Sequence, residues 1–201
     1  MAIFEYDQSA LDYLEKKDKK LGAAMQRIGM IERQVIPDLF AALVHSIASQ
    51  QISSTAAATV WSRIQEYFGD ITPARIAAAS CEEIQKLGMS MRKATYIKSA
   101  AQIVLEGGLD LTELQTLPDK EVVKRLSSLH GVGVWTAEML LIFSLQRPDV
   151  VSWGDYAIRK GMMKLYGLEQ LTREQFEKYR QRYSPYGSVA SLYLWEVAAG
   201  R

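Results

Sequence analysis

The chain has one cysteine, Cys81, in 201 residues. A single thiol excludes an intrachain disulfide, and also a cysteine-ligated iron–sulfur cluster, which needs about four thiolates. The expected role of such a lone cysteine is that of a small buried hydrophobe. Histidine is almost as scarce, at two residues, and no grouping of His, Cys and carboxylates has zinc spacing. No run approaches the roughly 18–20 uninterrupted apolar residues that a membrane span requires. The opening MAIFEYDQSALDYLEKKDKK turns acidic and polar where a signal peptide would be greasy. No membrane partner is therefore expected, and the expected location is the cytoplasm. A charge excess is also lacking: 24 Lys and Arg stand against 23 Asp and Glu, a formal net charge of +1. Composition alone gives no whole-chain signature of nucleic-acid binding.

The distribution of charge is less even. From Tyr156 to Arg201 eight basic residues face four acids, a bias that suits a polyanion or a solvated helix face. Apolar residues make up 48% of the chain, enough to bury a core in one domain. Their spacing is helical nearly throughout, as in FAALVHSIASQQISSTAAATVWSRIQEYF, and no segment alternates cleanly enough for a strand. The expected class is all-α. Helix starts are marked by Thr72-Pro73, by Ser80 with Glu83, and by Thr172 with Gln175. Stops fall at Gly69, Gly88, Gly107-Gly108 and Gly167. This punctuation predicts roughly ten helices with short connections.

The stretch LHGVGVWTAEMLLIFSLQRPDVVSWGDYAIRKG, Leu129 to Gly161, carries the chemistry. Gly131 and Gly133 bracket Val132 between LPDKEVVKRLSSL, opened by Pro118, and VWTAEMLLIFSL. Two glycines let the backbone turn sharply with no side chain above it. Such a turn presents successive amides at a helix N-terminus, where the dipole adds partial positive charge, and so forms a nest for phosphate. Glycine is also ordinary punctuation between helices, and the GxG pattern alone leaves both readings open. Asp155 follows 22 residues after Gly133 among mostly uncharged neighbours. It suits a cap for YAIRKGMMKLYG, or a carboxylate facing a reacting group, and one side chain can do both.

Leu129-His130-Gly131-Val132-Gly133-Val134-Trp135-Thr136-Ala137 resembles the LPGVGxxTA hairpin of the helix-hairpin-helix DNA glycosylase superfamily, with Asp155 where that superfamily keeps its catalytic aspartate. The resemblance runs from about Phe40 to Trp195. LVHSIASQQIS resembles the helix carrying the residues that fill the DNA gap. LGMSMRKATYIKSAA is similar to the segment leading to the hairpin, and YSPYGSVASLYLW to the closing helix of the alkylation-repair branch. Within that branch the chain is most similar to glycosylases of the 3-methyladenine-DNA glycosylase II type, in the compact form without an amino-terminal β-rich domain.

The resemblance implies a single all-α domain of two lobes with a cleft between them. One lobe would take about residues 1–40 and 155–201, the other about 41–154. It implies a monomeric, monofunctional glycosylase that acts on damaged double-stranded DNA, at the nucleoid if the source is bacterial. The implied reaction releases alkylated purines, 3-methyladenine and 7-methylguanine, in base excision repair. Two alternatives remain: a glycosylase for hypoxanthine, ethenoadenine or uracil, and a non-enzymatic helix-hairpin-helix DNA-binding module. Asp155 argues against the module, which gains nothing from a carboxylate facing DNA.

The implied roles make physical sense. Breaking the base–sugar bond leaves an oxocarbenium-like sugar, which Asp155 would stabilise while orienting or deprotonating water. Strand-cleaving relatives carry a nucleophilic lysine where this chain has Trp135, so no Schiff base is expected there. An indole face stabilises a cationic alkylated base by about 0.5–2 kcal/mol. Trp135, Met139, Trp153 and Tyr156 are the expected base pocket, although Trp135 and Met139 also share a helix face suited to core packing. Gly131, Val132, Gly133, Val134 and Thr136 are the expected backbone contacts, and Gln50 and Gln51 match the wedge that fills the gap. No cofactor is expected. Superfamily members bind a monovalent cation, sodium or potassium, through hairpin carbonyls, which here map to Ser127, Leu129 and Val132. His45 and His130 read as structural, and His130 replaces the motif's proline.

Overall fold

The computed structural model describes residues 2–201. The chain divides into two compact units, Met1–Val35 with Leu141–Arg201, and Ile36–Leu140. The second boundary thus falls at 140/141 rather than at the expected 154/155. The loop after the hairpin helix is hydrogen-bonded into the C-terminal part of the chain: Ser188 N–H donates to the Pro148 carbonyl (2.9 Å), and Val150 N–H to Ser188 Oγ (3.0 Å).

Among the described residues there are thirteen helices. The only pairing of extended backbone there is an isolated antiparallel bridge from Ile3 to Gln34. None of the helices is long and apolar enough to cross a membrane. The first unit opens with α1 (Gln8–Lys17) and α2 (Lys19–Ile28). Asp18 separates them, because its carboxylate accepts from Lys20 and Leu21 N–H and starts a new helix. That second start has no glycine or proline to announce it.

The middle unit holds α3 (Leu39–Ala48), α4 (Ser54–Phe68), α5 (Pro73–Ala78), α6 (Cys81–Lys86), α7 (Met91–Leu105), α8 (Leu111–Leu114) and α9 (Asp119–Leu126). The chain leaves this unit within α10 (Val134–Phe143). The expected starts are present: Pro73 opens α5 under a Thr72 cap, and Ser80 with Glu83 forms a complete capping box on α6. Cys81 begins α6 half-buried, since a first-turn position stands at the rim of the core. Leu43, Ile47, Ile64, Ile76, Ile84, Ile97 and Leu126 are almost wholly removed from solvent, each contributing about 1.5–3 kcal/mol by burial.

The first unit is completed by α11 (Tyr156–Tyr166), α12 (Arg173–Tyr183) and α13 (Gly187–Ala199). Apart from Trp195 and Ala199, every residue of α13 is buried, the pattern of a helix surrounded by others. α11 lies directly against it: a Cβ at Gly161 would meet the Leu194 carbonyl oxygen at 2.2 Å. Only a glycine fits that approach. Asp18 is drawn into the same packing, accepting from the Tyr166 hydroxyl (2.7 Å) and from Arg182 (3.1 Å).

Candidate functional site

The hairpin lies in the middle unit. α9 ends at Leu126, Val132 N–H returns to the Leu129 carbonyl (3.1 Å), and the ladder of α10 opens with Ala137 N–H donating to the Gly133 carbonyl (3.0 Å). The two glycines do different jobs. Gly131 has φ +82°, and a Cβ there would meet Tyr96 Cδ2 at 2.3 Å. The fold itself requires that glycine. Gly133 lies outside the positive-φ region, and a Cβ there meets nothing within 4 Å. No part of the protein fills the space that a side chain at Gly133 would take.

Exposure sorts the expected contacts. Gly133, Val134 and Trp135 are exposed, whereas Val132 and Thr136 are buried. Thr136, at 6% exposure, has little surface left for an external contact. Trp135 is 46% exposed and so is not a core side chain. Met139, one turn further on the same helix, is buried. The opening of α10 therefore presents an apolar and aromatic edge around amides that a helix leaves without internal acceptors. That combination suits a phosphate and a stacked ring.

The loop after α3 is braced against this hairpin. Gln50 Nε2 donates to the Gly131 carbonyl at 2.8 Å, and Lys93 Nζ donates to the Ala48 (2.9 Å) and Gln50 carbonyls. Burial, with Arg92 nearby, pushes the Lys93 ammonium below its ordinary pKa. Gln50 is thus a brace and not a free wedge, because its amide is spent on the hairpin. Gln51 is exposed and holds φ +56°, an unusual conformation for a side chain of its size. Lys93 and Tyr96 carried no functional signal in the sequence, and the LGMSMRKATYIKSAA resemblance was the only hint that this helix mattered. His130 stacks on Tyr96, ring centroids 6.5 Å apart.

Asp155 lies in the other unit, as the N-cap of α11. Its Oδ1 accepts from Ile158 N–H at 2.9 Å, and only 7% of the residue is exposed. The cap holds the carboxylate in one rotamer at the positive end of a helix. Tyr156, the next residue, is 65% exposed. Trp153 departs from expectation. Its ring has the Arg159 and Arg173 guanidinium carbons at 5.1 Å each, and the edge of Phe176 at 5.1 Å. With those neighbours it is a platform for cations within its own unit rather than a free stacking face for a base.

Near the mapped cation ligands, Ser127 Oγ is buried and has no hydrogen-bond partner. Of the mapped carbonyls, that of Leu129 already accepts from Val132 N–H at 3.1 Å, so an ion would share it through its second lone pair.

Residues 44–185 match the family described as HhH-GPD superfamily base excision DNA repair protein. The chain belongs to the HhH-GPD superfamily. DNA-3-methyladenine glycosylase 1 of Schizosaccharomyces pombe is 33% identical over 161 residues, covering 78% of this chain and 71% of that protein. The crystal structure of a DNA-3-methyladenine glycosidase from Bacillus halodurans superposes with a TM-score of 0.86 at 32% identity, covering 100% of this chain and 94% of that one. The S. pombe enzyme Mag1, solved in complex with abasic DNA, gives a TM-score of 0.82 at 31% identity, covering 94% and 95%. The HhH-GPD match spans the hairpin, Asp155, nearly all of the middle unit, and α11 and α12 of the first unit.

Proposed function

We propose that this HhH-GPD protein is a monofunctional DNA glycosylase that releases alkylated purines, 3-methyladenine and 7-methylguanine, from duplex DNA during base excision repair. The observation that carries the reading is Asp155, a mostly buried carboxylate fixed by its own helix cap in a chain similar to named 3-methyladenine glycosylases. Alkylation at N3 or N7 makes the purine cationic and a good leaving group. The bond between C1′ and the base nitrogen breaks with its electron pair going to the base, and Asp155 stabilises the positive charge left on the sugar. Water adds at C1′ and gives its proton to the carboxylate or to solvent, leaving an abasic site. Trp135 and Tyr156 offer the exposed aromatic faces for the extruded base. Exposed Gly133 and the amides opening α10 take the DNA backbone, and Gln51 enters the gap. A sodium or potassium ion held by the Ser127, Leu129 and Val132 carbonyls would add positive charge beside that backbone. The protein acts as a monomer.

A panel of duplexes, each with one defined lesion, tests this reading through abasic-site formation by the parent and by Asp155→Asn. Methylated purines are expected to be released by the parent. Release should fall by orders of magnitude in the variant, because the amide nearly keeps the shape and loses the charge, while duplex binding holds. An Asn variant that excises 7-methylguanine at close to the parent rate removes Asp155 from the chemistry. Release of hypoxanthine, ethenoadenine or uracil alone replaces the substrate class, and release of nothing leaves a DNA-binding module.

A further inference from the structure

The first unit ties most of its arginines to anions or carbonyls. Arg33 and Arg201 pair with Glu196, Arg182 with Asp18, and Arg173 with Glu177, while Arg180 reaches the Asp149 carbonyl. Arg159 Nε, like that of Arg33, is shielded from solvent and has no hydrogen-bond partner, but where Arg33 pairs with Glu196, the Arg159 guanidinium carbon lies over the Trp153 ring, 5.1 Å from its centroid. A desolvated donor without an acceptor costs free energy and persists where function uses it. Stacking on an indole fixes the guanidinium plane and leaves its in-plane N–H groups for a planar, bidentate acceptor such as phosphate.

Its position supplies the second argument. Arg159 stands four residues after Asp155, and its N–H donates to the Asp155 carbonyl (3.2 Å), so the two share one side of the opening of α11. Residues spaced in this way have their Cβ atoms about 5–6 Å apart. A nucleotide whose anomeric carbon is beside the Asp155 carboxylate brings its own backbone phosphates within the width of one sugar, a separation of the same scale. On the glycosylase reading above, we propose that Arg159, preorganised by Trp153, grips a phosphate adjoining the sugar on which Asp155 acts. Arg159 is a positioning residue in this scheme. It holds the extruded nucleotide and takes no part in proton transfer or bond breaking. Trp153 serves the same end as the platform that orients the guanidinium.

The test uses the full chain and a duplex carrying a tetrahydrofuran abasic-site analogue, with the parent, Arg159→Gln and Arg159→Lys compared. Each protein's affinity is measured across a salt series and against duplexes with single neutral methylphosphonates near the analogue. Losing one charged phosphate contact should weaken binding about tenfold and lower the slope of log affinity against log salt by about 0.9. Arg159→Lys should keep the parental slope. In the parent one methylphosphonate adjoining the analogue should weaken binding, and in Arg159→Gln the same replacement should have no further effect. A purely structural arginine would change thermal stability and leave slope and phosphate sensitivity at parental values, and that result overturns the proposal. The outcome stands apart from the glycosylase reading. A parent that shows the phosphate signature but releases no base keeps the Arg159 contact and loses the enzyme. A parent that excises while Arg159→Gln keeps its slope loses only the contact.

Discussion

At the residue scale, the two hairpin glycines differ in what surrounds them. Gly131 is fixed by a positive φ and by the Tyr96 ring beneath it. Gly131→Ala should therefore cost about 2–4 kcal/mol, from left-handed strain and the clash. Gly133 has open space around its Cβ position. Gly133→Thr adds a β-branched side chain with a cap-competent hydroxyl, so stability should stay within about 0.5 kcal/mol of the parent. Affinity for damaged and undamaged duplexes should drop together, since a phosphate contact carries no sequence information. Chemical denaturation and fluorescence anisotropy check both halves. A Gly133→Thr variant with altered lesion preference and intact affinity for undamaged DNA would contradict the backbone role.

At the element scale, α3 ends in a device held from several sides. The carbonyl of its last residue, Ala48, is taken by Lys93, the following Gln50 is tied to the hairpin, and His45 near its end packs edge-on against Trp61 at 4.8 Å. Burial lowers the His45 pKa below its ordinary 6.5. The unfolded chain then binds the proton more readily than the folded one. The stability that neutral His45 lends is fully present above about pH 6.5 and is lost as the pH falls below it towards the depressed folded value. Urea midpoints measured at about pH 7.5 and about pH 5 should fall less for His45→Gln than for the parent. An identical fall in both proteins would place the acid sensitivity elsewhere.

At the scale of the whole molecule, the amines decide whether the chain can cut a strand as well as release a base. A lysine nucleophile would form an imine with the opened sugar, and borohydride would reduce that imine to a permanent crosslink. Trp135 occupies the matched position, and Lys164, two turns and more beyond Asp155, already donates to the Ala198 carbonyl (2.9 Å). Treating protein and methylated duplex with borohydride should trap nothing, and strand breaks should appear only after alkali. A crosslink mapped to Lys160 or Lys164 would show that α11 supplies an amine.

What the sequence determined by itself was local. Thr72-Pro73, Ser80 with Glu83 and Thr172 with Gln175 start helices because a cap is satisfied within three residues. Gly69, Gly88, Gly107 and Gly167 stop them because each takes a positive φ. The all-α class, the hairpin and the position of Asp155 at a helix start follow from the same short range. The tertiary structure decided whatever depends on partners far along the chain. Asp18 ends α1 and caps α2, and it is held by Tyr166 and Arg182, which lie 148 and 164 residues away. Tyr96 makes Gly131 a requirement of the fold, whereas the space beside Gly133 is open. Arg159, Arg173 and Phe176 turn Trp153 from a candidate base contact into a cation platform. Periodicity shows which face of a helix is apolar, and only packing shows which distant residue meets it.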